Sequence, residues 1–340
     1  MTTPQAAATA GLNRMQTNRP TTPEAEEILG GYFPVLDHGF VALVDYMGTD
    51  DSVERAARVS YGYGTRKVSR TRGLIRYLRR HLHTTPSEMV EFKFHCAMPM
   101  FIARQWIRHR TASVNELSGR YSLMPLLFHR PDIGQFGLQS SSNNQGRMAG
   151  SGDQKLYDEA VRRWDEIRAQ AADGYTWMVE ENVAREIARI DLPLSTYTQW
   201  YWKIDLHNLL HFLTLRADAH AQWEIQEYAR VMAGMVKRVA PLSFEAWVDY
   251  QVRGDRLSGG ELAALSRLVE PLEDGVGARN GVSLNAADLS EIGLSKREIR
   301  EFRAKLEPKK TPDFELDLST MRAADDVAEE MYEAIPSPQD

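Results

Sequence analysis

At 340 residues, 43% hydrophobic and 26% charged, the chain is long enough to bury one large core or two ordinary ones. No apolar run reaches the roughly 18 residues of a membrane span, the segment Met1–Arg19 lacks the apolar block of a signal peptide, and a single cysteine, Cys96, excludes an intrachain disulfide framework and a multi-cysteine metal site. The net charge of −6 is local: residues 307–340 carry ten acidic and three basic side chains, which leaves +1 for the other 306 residues, so acidity says nothing about the ligand of the core and the expected compartment is the cytoplasm.

In chain order, residues 1–30 read as a disordered N-terminal arm. The apolar run Phe40–Val44 has the length of a buried strand. Asp51–Val59 predicts a short helix, and Leu74, Ile75, Leu78 and Leu82 predict another over Arg72–His83. Strict alternation from Val90 to Cys96 predicts a strand with one wet face. Pro99 ends it, and Met100–His109 predicts a helix. Ser, Asn and Gly dominate Leu138–Asp153, the composition of a mobile loop. Two long helices follow, Gln154–Ile190 with an interruption at Gly174, and Asp205–Val239 with Asp205 as N-cap. Between them, Tyr197, Trp200, Tyr201 and Trp202 read as core or subunit interface. Beyond Gly254, Gly259-Gly260, Gly275, Gly277 and Gly281 read as linkers, and Ser295 with Glu298 forms a capping box opening the helix Lys296–Leu306. No internal repeat is present. The expected division is therefore an arm at 1–30, a core at 31–253, a helical extension at 254–306 and an acidic, flexible tail at 307–340.

Chemistry concentrates between residues 104 and 120, where Arg104, Arg108, His109, Arg110 and Arg120 stand with Ser113, Ser118 and one carboxylate, Glu116. Arginine rather than lysine points to planar, bidentate recognition of phosphate, carboxylate or an imide edge. A solvated helix face is the ordinary explanation of such a run. Helical spacing, however, puts Arg110 almost opposite Arg104 and Arg108, so no single face is served. The cluster is compact and the core near neutral, which suits a small anion better than a nucleic acid. A nucleotide- or RNA-binding protein without catalysis is the alternative class. A helix-borne metal hydrolase using His207, His211 and His220 is a third, although the H-E-x-x-H pattern is absent.

From Arg108 to Tyr121 the chain matches, at every specified position, the signature R-H-R-x-x-S-x-N-E-x-S-x-R-Y, and this resembles the flavin-dependent thymidylate synthase family. Similarity extends to Arg58-Val-Ser60, His83-Thr-Thr85-Pro86-Ser-Glu88, Gln105, Gln139–Arg147, Ala184–Arg189, Asp205–Phe212 and Leu215–Glu224, covering about residues 36–250, with a weaker echo at Leu294–Leu306. The sequence departs from the common family form at Ser87 and Met89.

The resemblance implies an α+β fold, an antiparallel or mixed sheet flanked by long helices, assembled as a homotetramer with shared active sites. It implies reductive methylation of dUMP to dTMP, with methylenetetrahydrofolate as carbon donor, tightly bound FAD and NADPH as reductant, and with no metal, membrane or nucleic-acid partner. Carried over by position, dUMP contacts fall on Gln105, Arg108, Glu116, Leu117, Ser118, Gly119, Arg120, Arg189 and Arg216. FAD contacts fall on Ser60, Thr85, Glu88, Arg108, His109, Arg110, Glu116, Asp205, His207 and His211. The reacting atoms are expected beside Arg216, Ser118, His83 and Glu116. Of these Arg216 is the strongest catalytic candidate, since the sequence shows no base dedicated to activating the Ser118 hydroxyl. Cys96 alternates onto one strand face and reads as an inert core residue.

Overall fold

Alternation in the sequence does build the sheet on which the molecule is organised. The computed structural model describes residues 19–60, 71–141, 145–150, 152–272 and 275–336. Its strands are β1 (Tyr32–Val35), β2 (Gly39–Met47), β3 (Glu91–Pro99), β4 (Ser113–Glu116), the hairpin β5 (Gly137–Gln139) and β6 (Arg147–Ala149), and β7 (Tyr197–Asp205). Five of them form an antiparallel sheet in the order β1-β2-β3-β7-β4. The fold is α+β.

One sheet face carries the core. Phe92, Phe94 and Cys96 of β3 are fully buried, as are Trp200 and Trp202 of β7 apart from a trace. Against them pack α4 (Met100–Trp106), α7 (Leu206–Arg216) and α8 (Trp223–Val239); the chain also forms α1 (Pro23–Glu26), α2 (Asp50–Val59) and α3 (Thr71–Arg80) before α4, and α5 (Gln154–Glu180) and α6 (Arg185–Ala188) between α4 and α7. The Trp106 ring lies 5.1 Å from Phe212, 5.3 Å from Trp202 and 5.4 Å from Trp200. Burying Phe92, Phe94 or Phe212 contributes about 1.5–3 kcal/mol each.

Several elements differ from expectation for local reasons. Helix α3 stops at Arg80 because Leu82 adopts φ 58°. Helix α5 runs through Gly174 without a break and ends where Asn182 takes φ 57°, a left-handed conformation that asparagine tolerates. The helix expected from Asp205 to Val239 is two. Asp205 caps α7 by accepting from Asn208 N at 2.9 Å, and after Arg216 the Asp218 carboxylate accepts from His220 N at 2.8 Å, a turn that separates α7 from α8. Pro241 opens a further helix, Pro241–Trp247. The segment Leu138–Asp153 contains most of the β5–β6 hairpin; residues 142–144 and 151 lie outside the described residues.

Both ends of the larger unit, Met1–Glu245 with Asp313–Asp340, enter its core. Residues 1–18 lie outside the described residues, but Ala25 and Ile28 are fully buried. Of the segment read as a flexible tail, Phe314 packs on Phe244 at 5.7 Å. Arg322 and Tyr32 exchange backbone hydrogen bonds of 2.8 and 3.0 Å, and Val327 joins Phe40 and Ala97 on the second sheet face.

The smaller unit, Ala246–Pro312, holds α9 (Gly259–Leu268), the hairpin β8 (Val269–Leu272) and β9 (Gly275–Ala278), α10 (Ala286–Glu291) and α11 (Lys296–Lys305). Ala264, Leu289, Leu294, Ile299 and Phe302 form its core. The capping box of Ser295 and Glu298 opens α11 as expected. Gly259 and Gly260, read as a linker, instead start α9, because Ser258 and Glu261 make a second capping box.

Candidate active site

The edge strand β4 and the turn that follows it form one cluster. Glu116 pairs with Trp200 across the ladder, so it points to the same sheet face as α4 and α7. Its Oε1 accepts from Thr198 Oγ1 at 2.8 Å, and Leu117 N donates to Gln199 O at 2.8 Å. The chain then turns: Tyr121 N and Ser122 N both donate to Ser118 O at 3.0 Å, and Arg120 N donates to Ser118 Oγ at 3.3 Å. Helix α6 holds this turn through Arg185, which donates to Tyr121 O, and through Glu186, 3.0 Å from Arg120 Nε. Gly119 is buried, and a Cβ there would stand 2.8 Å from Met124 Sδ and 3.0 Å from Arg189 Cδ. Arg189 therefore lies against the turn, and only glycine leaves room for it.

A second cluster lies where α4 ends. Arg216 Nε donates to His109 Nε2 at 3.1 Å. The His109 ring meets Phe212 edge-on at 4.9 Å and stands 5.9 Å from His211. Burial first, then the Arg216 and His211 charges, push the His109 pKa down to about 4. The ring is thus neutral near pH 7, and because Nε2 accepts, its proton sits on Nδ1. Burial also lowers the Arg216 pKa. Gln105 donates to Gln222 Oε1, while Arg104, Arg108 and Arg110 are exposed.

The third group surrounds His207. Burial, then Arg79, lowers its pKa, opposed by Asp205 and Glu88. Its Nδ1 is buried with no hydrogen-bond partner, the kind of orphan that a ligand satisfies. Both Asp205 oxygens are engaged by Asn208. His83 stacks on Tyr77 at 6.0 Å. Thr85 and His211 are exposed, and so is Ser60, at the end of α2 with residues 61–70 beyond it outside the described residues.

The fold thus brings Arg189 to Gly119, and Arg216 to His109. Among the described residues no hydrogen bond or ion pair joins these two clusters. Sequence reasoning did not identify the side chains that hold the site: Thr198, Gln222, Glu186 and Arg79. Gln222 and Glu186 had a signal, since they fall in the blocks Leu215–Glu224 and Ala184–Arg189. No group of three His, Cys, Asp or Glu among the described residues is placed to hold a metal ion, and no described helix is long and apolar enough to cross a membrane.

Cations without counter-charges mark the site. Among the described residues Arg104, Arg108, Arg110, Arg189 and Arg216 have no carboxylate partner, whereas Arg120 and Arg147 do. Of these, Arg189 lies against the Gly119 turn, and an uncompensated guanidinium beside a glycine turn suits a phosphorylated ligand.

The family model described as "Thymidylate synthase complementing protein" matches residues 42–242. A flavin-dependent thymidylate synthase of Gluconobacter oxydans is 48% identical over 298 residues, 86% of this chain and 92% of that protein. One from Treponema denticola is 50% identical over 244 residues, 72% of this chain and 92% of that protein. Among solved structures, a UMP/dUMP methylase, PolB, from Streptomyces cacaoi bound with 5-Br dUMP superposes with a TM-score of 0.58 at 34% identity, covering 64% of this chain and 98% of that one. A match over more than half of the chain, with relatives this close, identifies it: the chain belongs to the flavin-dependent thymidylate synthase family.

Proposed function

We propose that this chain catalyses the reductive methylation of dUMP to dTMP. The observation that carries the reading is the set of five arginines, Arg104, Arg108, Arg110, Arg189 and Arg216, that lack carboxylate partners among the described residues around the β4 edge and α7. Methylenetetrahydrofolate supplies the carbon and NADPH the hydride: dUMP, methylenetetrahydrofolate, NADPH and a proton give dTMP, tetrahydrofolate and NADP+. The relatives named flavin-dependent thymidylate synthases support flavin-dependent synthesis of dTMP.

In this reading the amides of the Ser118–Arg120 turn, with Arg189, take the nucleotide phosphate. Gln105, Arg108, Glu116 and Leu117 orient the nucleoside. Arg216 places its charge at the uracil N3/O4 edge, polarising the ring so that C5 becomes the nucleophile. FAD, when bound, carries the hydride from NADPH to the pyrimidine carbon. The orphan His207 Nδ1 fits a cofactor polar group, and Ser60, Thr85, Glu88, Arg108, His109, Arg110, Glu116, Asp205 and His211 are the further residues assigned to it, with His83 near its ring. Neutral His109, fixed by Arg216, offers a donor without adding charge.

A homotetramer completes the reading. Tyr121, 77% exposed, and Ile190, 66% exposed, are large apolar side chains beside the substrate turn, and neighbouring copies would cover them and share the site. Purified protein incubated with dUMP, methylenetetrahydrofolate and NADPH should yield dTMP and bind FAD stoichiometrically; a colourless protein that FAD cannot reconstitute would rule the enzyme out.

A further inference from the structure

Four ionisable side chains that the proposed mechanism does not use, Glu224, Arg147, His129 and Asp37, meet at the first turn of α8. Glu224 is 2% exposed. Its Oε1 accepts from Arg147 Nη1 at 2.8 Å and lies 3.9 Å from His129 Nε2. His129, also buried, donates from Nδ1 to Asp37 Oδ1 at 2.8 Å. Burial pushes the Asp37 pKa up, but hydrogen bonds from His129, Tyr197 and Arg130 N outweigh it and hold the carboxyl well below the usual carboxylate range. Glu224 Oε2 and His129 Nε2 are buried without hydrogen-bond partners.

Stability is a weak explanation of this array, because apolar side chains of the same volume often pack such a position as well. What charge adds is direction, and Glu224 stands where direction matters at two places. Arg147 belongs to β6, which pairs with β5 at Gly137–Ala149, Leu138–Met148 and Gln139–Arg147. Beyond them, Ser140 N donates to Gly146 O and Gly150 N to Phe136 O, each at 3.0 Å. Two residues before Glu224, Gln222 accepts from Gln105, the residue assigned to the nucleoside.

We propose that Glu224 is a positioning residue: through Arg147 it fixes the β5–β6 hairpin, and through the first turn of α8 it sets Gln222, and so Gln105, for the pyrimidine nucleotide. The second half rests on the functional reading above, the first does not. A hydrophobic substitute would fill the same space and leave both partners unaimed.

The test uses flavin-loaded holoenzyme carrying Glu224→Gln, an isosteric change that removes the charge and replaces one acceptor oxygen with an amide donor. Expected are retained flavin, a KM for dUMP raised about tenfold with kcat within about threefold, and faster hydrogen exchange at Ser140 and Gly150. The double variant Glu224→Gln/Arg147→Gln should be no worse than the single, since both changes break one interaction. If Glu224→Gln does not fold, Arg147→Gln, at a partly exposed position, carries the same expectation. An unchanged KM together with unchanged exchange would overturn the proposal, as would additive losses in the double variant. A wild-type protein that makes no dTMP would instead overturn the functional reading, leaving the exchange measurement to decide the hairpin's dependence on Glu224.

Discussion

Arg216 Nε and His109 Nε2 share one hydrogen bond of 3.1 Å, joining a cation at the end of α7 to a neutral imidazole three residues past α4. Burial first, and then the Arg216 charge, cost the imidazole its basicity, and the outer Arg216 nitrogens are free of any carboxylate among the described residues. A preorganised cation of this kind acts where charge develops during reaction, and its removal typically costs about 2.7–4 kcal/mol, roughly hundreds-fold in rate. Arg216→Ala should therefore abolish turnover while flavin stays bound. Steady-state rates read beside flavin absorbance check this, and near-normal turnover would remove Arg216 from the chemistry.

The His109 environment fixes a pH dependence. Its ordinary pKa of 6.5 falls to about 4 in the folded chain, so the unfolded chain takes up the proton more readily. The stability this contributes is complete above pH 6.5 and is lost as pH falls toward 4. His109→Gln keeps an acceptor for Arg216 but cannot titrate. Melting temperatures at pH 7 and pH 4.5 should differ less in that variant than in the parent; equal pH sensitivity would show that His109 is not the group responsible.

Ser118 sits in the turn after β4, and its surroundings lead us to expect a positioning role rather than that of a nucleophile. Its hydroxyl accepts from Arg120 N at 3.3 Å, and no basic side chain among the described residues hydrogen-bonds to it. Ser118→Ala loses one hydrogen bond, about 0.5–1.5 kcal/mol, so activity should drop by no more than roughly tenfold. Complete loss of turnover with dUMP still bound would restore the hydroxyl to the chemistry.

Gly119→Ala should behave differently. The new methyl would meet Met124 Sδ at 2.8 Å and Arg189 Cδ at 3.0 Å, so Met124 must shift and Arg189 must give way beside the turn. We expect a dUMP dissociation constant raised at least tenfold, measured by calorimetry, with thermal stability little changed. Wild-type affinity would separate Arg189 from the phosphate.

Much of this was legible in the sequence, and the reasons are local. Alternation at Phe92, Phe94 and Cys96 read directly as a strand because β3 lies between two neighbours with one face on the core. Asp205 and Ser295 announced helix starts because a side-chain oxygen three residues before an amide is a local geometry. The split between α7 and α8 was not legible, since Asp218 looks like any helical aspartate until its carboxylate turns back to His220 N. Nor could spacing show that Arg189 reaches Gly119 or that Arg216 reaches His109. Those meetings join residues 70 and 107 positions apart, and only the assembled sheet creates them.

The acidic C-terminal stretch tests how far charge composition misleads. Ten acidic residues between Glu307 and Asp340 suggest a solvated tail, yet Phe314, Val327 and Met331 are buried against the larger unit. On the helix Ala324–Glu333 the charges and the buried Val327 and Met331 occupy different faces: Asp325, Asp326, Glu329 and Glu333 are exposed, and Glu330 pairs with Arg322. Phe314 stands edge-on to Phe244 at 5.7 Å, and truncating a buried phenylalanine to alanine typically costs about 3–5 kcal/mol. At roughly 2–4 °C per kcal/mol for a unit of this size, Phe314→Ala should lower the melting temperature by roughly 6 °C or more. A solvated tail would tolerate the change with no shift, and that result would detach residues 313–336 from the core.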